Sequence, residues 1–175
     1  MPKPKHGVLM VIAGLIMTLF LGIIYAWTMF RVEIEKVFPE MTAAELSLNF
    51  TITMICFCLG GFFGGKISAK FSQRLSARLS AVMLLIGFMC VSFIGGMSPD
   101  TALLIMYIFY GGISGLGVGI GYNACISAVS PWFPEKLGLV SGVLLMGFGF
   151  GSLLLGLLAQ SLAETLGIFA VFRIY

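Results

Sequence analysis

Charge is the scarcest property of this sequence. Only 10% of the 175 residues are Asp, Glu, Lys or Arg, against 59% hydrophobic ones. A soluble domain carries about 25% charged residues, so this chain cannot cover itself with a polar surface. Histidine is nearly missing too. The single one, His6, lies in the polar N-terminal tail, so no His-based metal site or catalytic triad can be assembled within the chain. The four cysteines, Cys56, Cys58, Cys90 and Cys125, all fall inside apolar runs. Cys56 and Cys58 point to different sides of a helix and make a poor metal pair, and free Cys behaves as a small hydrophobe. No cofactor is expected. The net charge of +3 calls for no nucleic-acid partner, because the sidedness of the loops accounts for it.

What the sequence does have is long uncharged runs. Gly7 to Phe30, Leu46 to Gly65, Leu79 to Ser98, Thr101 to Phe133 and Leu137 to Ala163 hold no charged residue. A bilayer core needs about 20 apolar residues in a helix. Five spans follow, in an all-α integral membrane fold. The helices expected are 7–30, 46–70, 77–98, 101–130, 137–162 and a partial sixth at 166–175. The first run is too long for the apolar core of a signal peptide. It closes on Tyr25, Trp27 and Phe30, which read as an aromatic belt at the membrane boundary. The last stretch, Leu166 to Tyr175, gives only about 15 Å of helix. It reads as a sixth helix cut short, or else as a segment that does not span.

The loops set an orientation. The N-terminus holds Lys3 and Lys5, the loop after the second run Lys66, Lys70, Arg74 and Arg78, and the loop before the fifth run Lys136. Seven cations thus fall on one side, against Arg31 and Lys36 on the other. Positive loops stay inside, so the expectation is a multi-pass protein of the plasma (inner) membrane with a cytoplasmic N-terminus. Thr42 and Glu45 form a capping-box pattern, and Ser98-Pro99 marks a helix start.

The complete runs contain no charged group for a proton relay or for holding an anion. Glycine is the next signal. Gly111, Gly115 and Gly119 repeat at four, as do Gly117 and Gly121; Gly138, Gly142, Gly147, Gly149 and Gly151 follow in the fifth run. Small residues at this spacing let helix backbones approach closely in lipid. They serve packing, or also a smooth surface for the helix motions of alternating access. Asn123, Ser127 and Ser130 share one face at helical spacing, either as polar glue or facing a water-filled cavity. Thr18, Tyr25, Thr28 and Tyr122 are candidates for the same cavity. The basic segment Gly64–Arg78, with Gly65, Lys70 and Arg74, is a topogenic loop or a gating loop.

The stretch Gly111 to Gly151 resembles the oxalate/formate antiporter family of the major facilitator superfamily. The resemblance rests on Gly-Leu-Gly-Val-Gly-Ile-Gly-Tyr122, Trp132-Phe-Pro-Glu-Lys-Leu-Gly138 and Gly147-Phe-Gly-Phe-Gly151, with Tyr25-Ala-Trp27 in the first helix. It implies the N-terminal half of a twelve-helix carrier that exchanges small carboxylates such as oxalate and formate, or monocarboxylates. The lipid bilayer and a C-terminal six-helix half would be its partners. By matching position Tyr25 and Tyr122 would line the cavity, with Trp27, Asn123 and Phe148 as further wall candidates. Phe148 stands where the oxalate carrier has Tyr. The family's anion-binding Arg and Lys belong to the C-terminal half. The cytoplasmic motif keeps Lys70 and Arg74, but Ala69 replaces its Asp and Ser72 its Gly. A different class of function stays open: a non-transporting membrane sensor or assembly subunit on a carrier-like fold. As a separate polypeptide the segment is expected to self-associate rather than to transport. No histidine, carboxylate pair or activated nucleophile sits at membrane depth, so an enzyme is not expected.

Overall fold

The computed structural model describes the backbone of residues 4–175 and the side chains of residues 7–175. His6, Lys3 and Lys5 lie outside the described side chains. The chain is helical almost throughout, and five helical stretches are long and apolar enough to cross a membrane.

The first stretch is longer than the uncharged run. Helix α1 (Pro4–Leu21) passes through a 3₁₀ turn at Gly22–Ala26 into α2 (Trp27–Val37). Together Gly7–Val37 form one 31-residue span. At 1.5 Å per residue this exceeds the roughly 30 Å apolar core, so its charged end projects beyond it. That end was expected to be a loop. It stays helical because its charges pair along the helix: Arg31 with Glu35 at 2.7 Å and Lys36 with Glu33 at 2.6 Å. The aromatic belt expected at its end is also corrected. Trp27 and Phe30 are fully buried in the protein, and only Tyr25 is exposed.

Helix α3 (Ala43–Lys70) starts at a complete capping box. Glu45 N–H donates to Thr42 Oγ1, and Thr42 N–H donates to Glu45 Oε2 at 2.7 Å. The basic segment is mostly helix rather than loop. Lys66 and Lys70 end α3, Arg74 and Arg78 begin α4 (Gln73–Ser92), and only Phe71 and Ser72 lie between. The turn is closed by hydroxyls: Ser68 Oγ donates to Ser76 Oγ at 2.9 Å in a buried contact. With Ala69 in place of an acid, no charge pair is available there.

The fourth span is not uniform. Helix α5 (Pro99–Ile105) runs into a nine-residue π segment, Met106–Ser114, before α6 (Gly115–Val129). Ser114 Oγ returns to the Phe109 carbonyl five residues back at 3.2 Å. The wide π register is disfavoured in general and recurs at functional sites. Two 3₁₀ turns at Ser130–Trp132 and Pro134–Lys136 lead into α7 (Leu137–Leu166). Gly167, at φ +82°, then turns the chain into α8 (Ile168–Ile174). A side chain would be strained at that backbone angle. Short as it is, α8 is packed into the core through Val171 and Phe172.

Two close seams position the site. Along α3 and α6, a Cβ on Gly64 would lie 2.7 Å from the Ile120 Cα, and one on Gly119 would collide with the Phe57 carbonyl. Gly115 lies against Thr53 and Cys56, and Gly111 against Asn49 and Ile52. Along α1 and α7, Gly147 meets Leu15 and Thr18, and Gly151 meets the Leu19 carbonyl. Gly138, Gly142 and Gly149 have nothing within 4 Å of where a Cβ would stand.

Candidate functional site

The two seams bring Tyr25 of the first span and Tyr122 of α6 into contact with one ring. Phe148 of α7 lies 5.3 Å from Tyr25, edge-on at 88°, and 5.2 Å from Tyr122. Phe57 of α3 stacks on Phe148 at 5.9 Å, and Phe50 meets Tyr25 at 6.1 Å. Four spans therefore contribute to one aromatic cluster. Such edge and offset contacts follow the ring quadrupole.

Within this cluster the residues have different standing. Phe148 is only 4% exposed, so it forms a floor beneath the two tyrosines rather than part of the open wall. Tyr25 is 37% exposed, and Tyr122 is half-buried. Their hydroxyls make no hydrogen bond among the described residues. The other three tyrosines behave oppositely. Tyr107 donates to the Glu45 carbonyl, Tyr110 to that of Ile24 and Tyr175 to that of Leu155. Buried Tyr hydroxyls find partners as a rule; Tyr110 is buried, Tyr107 and Tyr175 are half-buried like Tyr122, and all three are bonded. Tyr25 and Tyr122 are left with free donors on an aromatic surface.

Trp27 does not join them. It is 2% exposed, and its indole Nε1–H donates to the Leu46 carbonyl at 2.9 Å. It packs on Tyr110 with ring centroids 4.8 Å apart and planes tilted by 42°, in a second, closed aromatic cluster with Phe30, Phe88 and Phe172. Thr18 is also buried, with its hydroxyl on the Leu15 carbonyl. The shared polar face of α6 is present: Asn123 Nδ2 donates to the Gly61 carbonyl at 3.0 Å, and Ser127 donates to Asn123 Oδ1 at 3.3 Å. The first bond ties α6 to α3 and the second lies within α6, so the Asn123 amide is engaged at both ends. Gly65 stands against it, 3.5 Å from a would-be Cβ.

Sequence reasoning passed over Asn49. Its side chain is fully buried on α3, and neither its amide nitrogen nor its oxygen has a partner. A Cβ on Gly111 would lie 3.0 Å from Asn49 Oδ1, so the amide sits against the π segment. The signal was available: Leu46, Asn49 and Thr53 lie on one α3 face, and all are buried.

The match that decides the family covers nearly the whole chain, residues 7–175, and is to the Major Facilitator Superfamily. The chain belongs to this superfamily. Among curated proteins, the oxalate:formate antiporter of Oxalobacter formigenes is 29% identical over 93% of this chain and 37% of its own length. The apicoplast pyruvate carrier 1 of Toxoplasma gondii is 37% identical over 49% of this chain and 16% of its own. Human monocarboxylate transporter 10 is 29% identical over 54% of this chain and 17% of its own. The chain thus spans well under half the length of these relatives. The all-helical fold with five long apolar helices is that of a major-facilitator N-terminal half, and the chain is a multi-pass membrane protein.

Proposed function

We propose that this chain is the N-terminal six-helix half of a secondary transporter for small carboxylate anions, working by antiport or uniport. The observation that carries the proposal is the pair of unpartnered phenol donors, Tyr25 and Tyr122, set around the Phe148 ring. A carboxylate is met by O–H donors on an aromatic surface, while its charge is balanced by cations from the C-terminal half. The named activities of the relatives, an oxalate:formate antiporter, a pyruvate carrier and a monocarboxylate transporter, support this substrate class. With a phenylalanine at 148 the ring beneath the tyrosines adds no further hydroxyl to the site. That favours a carboxylate with an apolar end over a dicarboxylate.

In this reading the two halves rock about a midplane site. The 3₁₀ turn that carries Tyr25 and the π segment of the fourth span are the places where the helices are least regular. Lys70 and Arg74 mark the cytoplasmic gate, with the N-terminus on the cytoplasmic side of the plasma (inner) membrane. The test is counterflow in proteoliposomes made with the complete product of the reading frame. Unlabelled pyruvate, formate or oxalate trapped inside should accelerate entry of the labelled anion. If no carboxylate accelerates entry above protein-free liposomes, the transport reading falls and the sensor reading replaces it.

A further inference from the structure

Among the described residues, the only enclosed side-chain polar atoms without a partner are the amide nitrogen and oxygen of Asn49 on α3. The residue is fully buried, so nothing outside the bundle reaches that amide. An unpaired polar group held away from water is costly. Its neighbour is the π segment Met106–Ser114: a Cβ on Gly111 would lie 3.0 Å from Asn49 Oδ1. An idle amide thus stands against a segment whose own hydrogen bonding departs from the α pattern.

The backbone of that segment is short of donors. Where a π register returns to α, the last i+5 bond and the first i+4 bond call on the same N–H, so one donor serves two carbonyls. Gly115 is that donor: its N–H is shared between the Tyr110 and Gly112 carbonyls. The two N–H groups of the Asn49 amide therefore lie idle beside a backbone with more acceptors than donors. The span is also held unequally on the two sides of this point. Toward α5, Tyr107 donates to the Glu45 carbonyl at 2.9 Å and Tyr110 to that of Ile24 at 3.2 Å. Toward α6, the contact with α3 runs over Gly60, Gly115 and Gly119, which have no side chains of their own to interlock. On the α4 side Gly87 faces Ser114, and a Cβ there would collide with the serine hydroxyl.

We propose that the fourth span hinges at Gly111–Ser114, and that Asn49 is the catch for its second position. When the hinge moves, Asn49 Nδ2 donates to a carbonyl of the π segment, a bond that is absent in the position described here. The two positions then hold different hydrogen bonds. In the present one Ser114 Oγ bonds the Phe109 carbonyl at 3.2 Å and the Asn49 amide is unpaired; in the other the amide is satisfied. The cost of the orphaned amide narrows the gap between the two, which is what a bistable element requires. Beyond the hinge, α6 carries Tyr122, so the motion shifts that phenol against Phe148. This last consequence rests on the transport reading, whereas the hinge itself does not.

The experiment is amide hydrogen exchange of the complete product of the reading frame in detergent, read by mass spectrometry over the peptide that spans Gly111–Gly115. Asn49→Leu removes the catch and relieves the resting position, and should slow exchange there by at least about fivefold. Ser114→Ala takes the hydroxyl from the Phe109 carbonyl and should speed it by about fivefold. Exchange around Gly147–Gly151 of α7 should change in neither variant. Unchanged or faster exchange at Gly111–Gly115 in Asn49→Leu would overturn the proposal. So would equal slowing in α7, which would reduce the effect to global stability. Counterflow then tests the link to transport: Asn49→Leu should lower the turnover and leave KM unchanged. Unaltered turnover beside slowed exchange would remove the hinge from the transport cycle. Absence of counterflow in the wild type, with the exchange pattern intact, would overturn the transport reading and leave the hinge standing.

Discussion

The molecule holds two aromatic clusters that look alike in sequence and differ in what their polar atoms do. In the first, Trp27, Phe30, Phe88, Tyr110 and Phe172 are all buried, and both polar handles are bonded: Trp27 to the Leu46 carbonyl and Tyr110 to that of Ile24. In the second, Tyr25 and Tyr122 contact Phe148 and keep their hydroxyls free. An aromatic group whose polar end is satisfied inside the chain is architecture. One whose polar end is unpaired and reachable is available to a solute. Trp27 and Tyr25 lie two residues apart and belong to different categories.

Breaking the closed cluster should have the largest effect. Trp27→Ala removes a fully buried indole and its hydrogen bond, and should cost about 3–5 kcal/mol, read as a lowered melting midpoint in detergent. A midpoint within a degree or two of wild type would show that the closed cluster is not what holds the first span to α3. Asn49→Leu should act in the opposite direction. It replaces a buried amide without partners by an apolar side chain of similar size, and relief of that desolvation should stabilise by about 1–3 kcal/mol. A drop in stability would mean that the amide has a partner in the folded protein after all. Tyr110→Phe deletes one buried hydrogen bond and should cost about 1 kcal/mol. The same change at Tyr122 should leave the melting midpoint unmoved, which is the sharpest contrast between the clusters.

Much of this architecture could be read from the residues. Five uncharged runs mark the spans, Thr42 and Glu45 mark the start of α3, and the four-residue glycine spacing marks the α3–α6 seam. Tyr25 and Tyr122 were legible as a pair through family resemblance. The burial of Trp27 was not. On a helix, positions 25 and 27 differ by about 200°, and nothing local says which of the two faces is covered. The charged end of the first span was misread as a loop because Arg31, Glu33, Glu35 and Lys36 look like loop composition. Their pairing at three- and four-residue spacing makes them a helix surface instead. The π segment carries no sequence signature beyond Gly111 and Gly112, since a register of i to i+5 is set by packing against α3 and α4. Glycine spacing likewise announces contact without naming its partner: Gly119 is sealed within the chain, whereas Gly149, in a similar pattern, faces open space.

The most direct test of the difference between the clusters is the apparent KM for carboxylate exchange of Tyr122→Phe beside its melting midpoint. The account predicts a KM raised about fivefold, the value of one lost hydrogen bond of about 1 kcal/mol, with the midpoint unchanged. An unchanged KM together with a lowered midpoint would place Tyr122 with Trp27 and Tyr110 among the structural aromatics and contradict the assignment of the site.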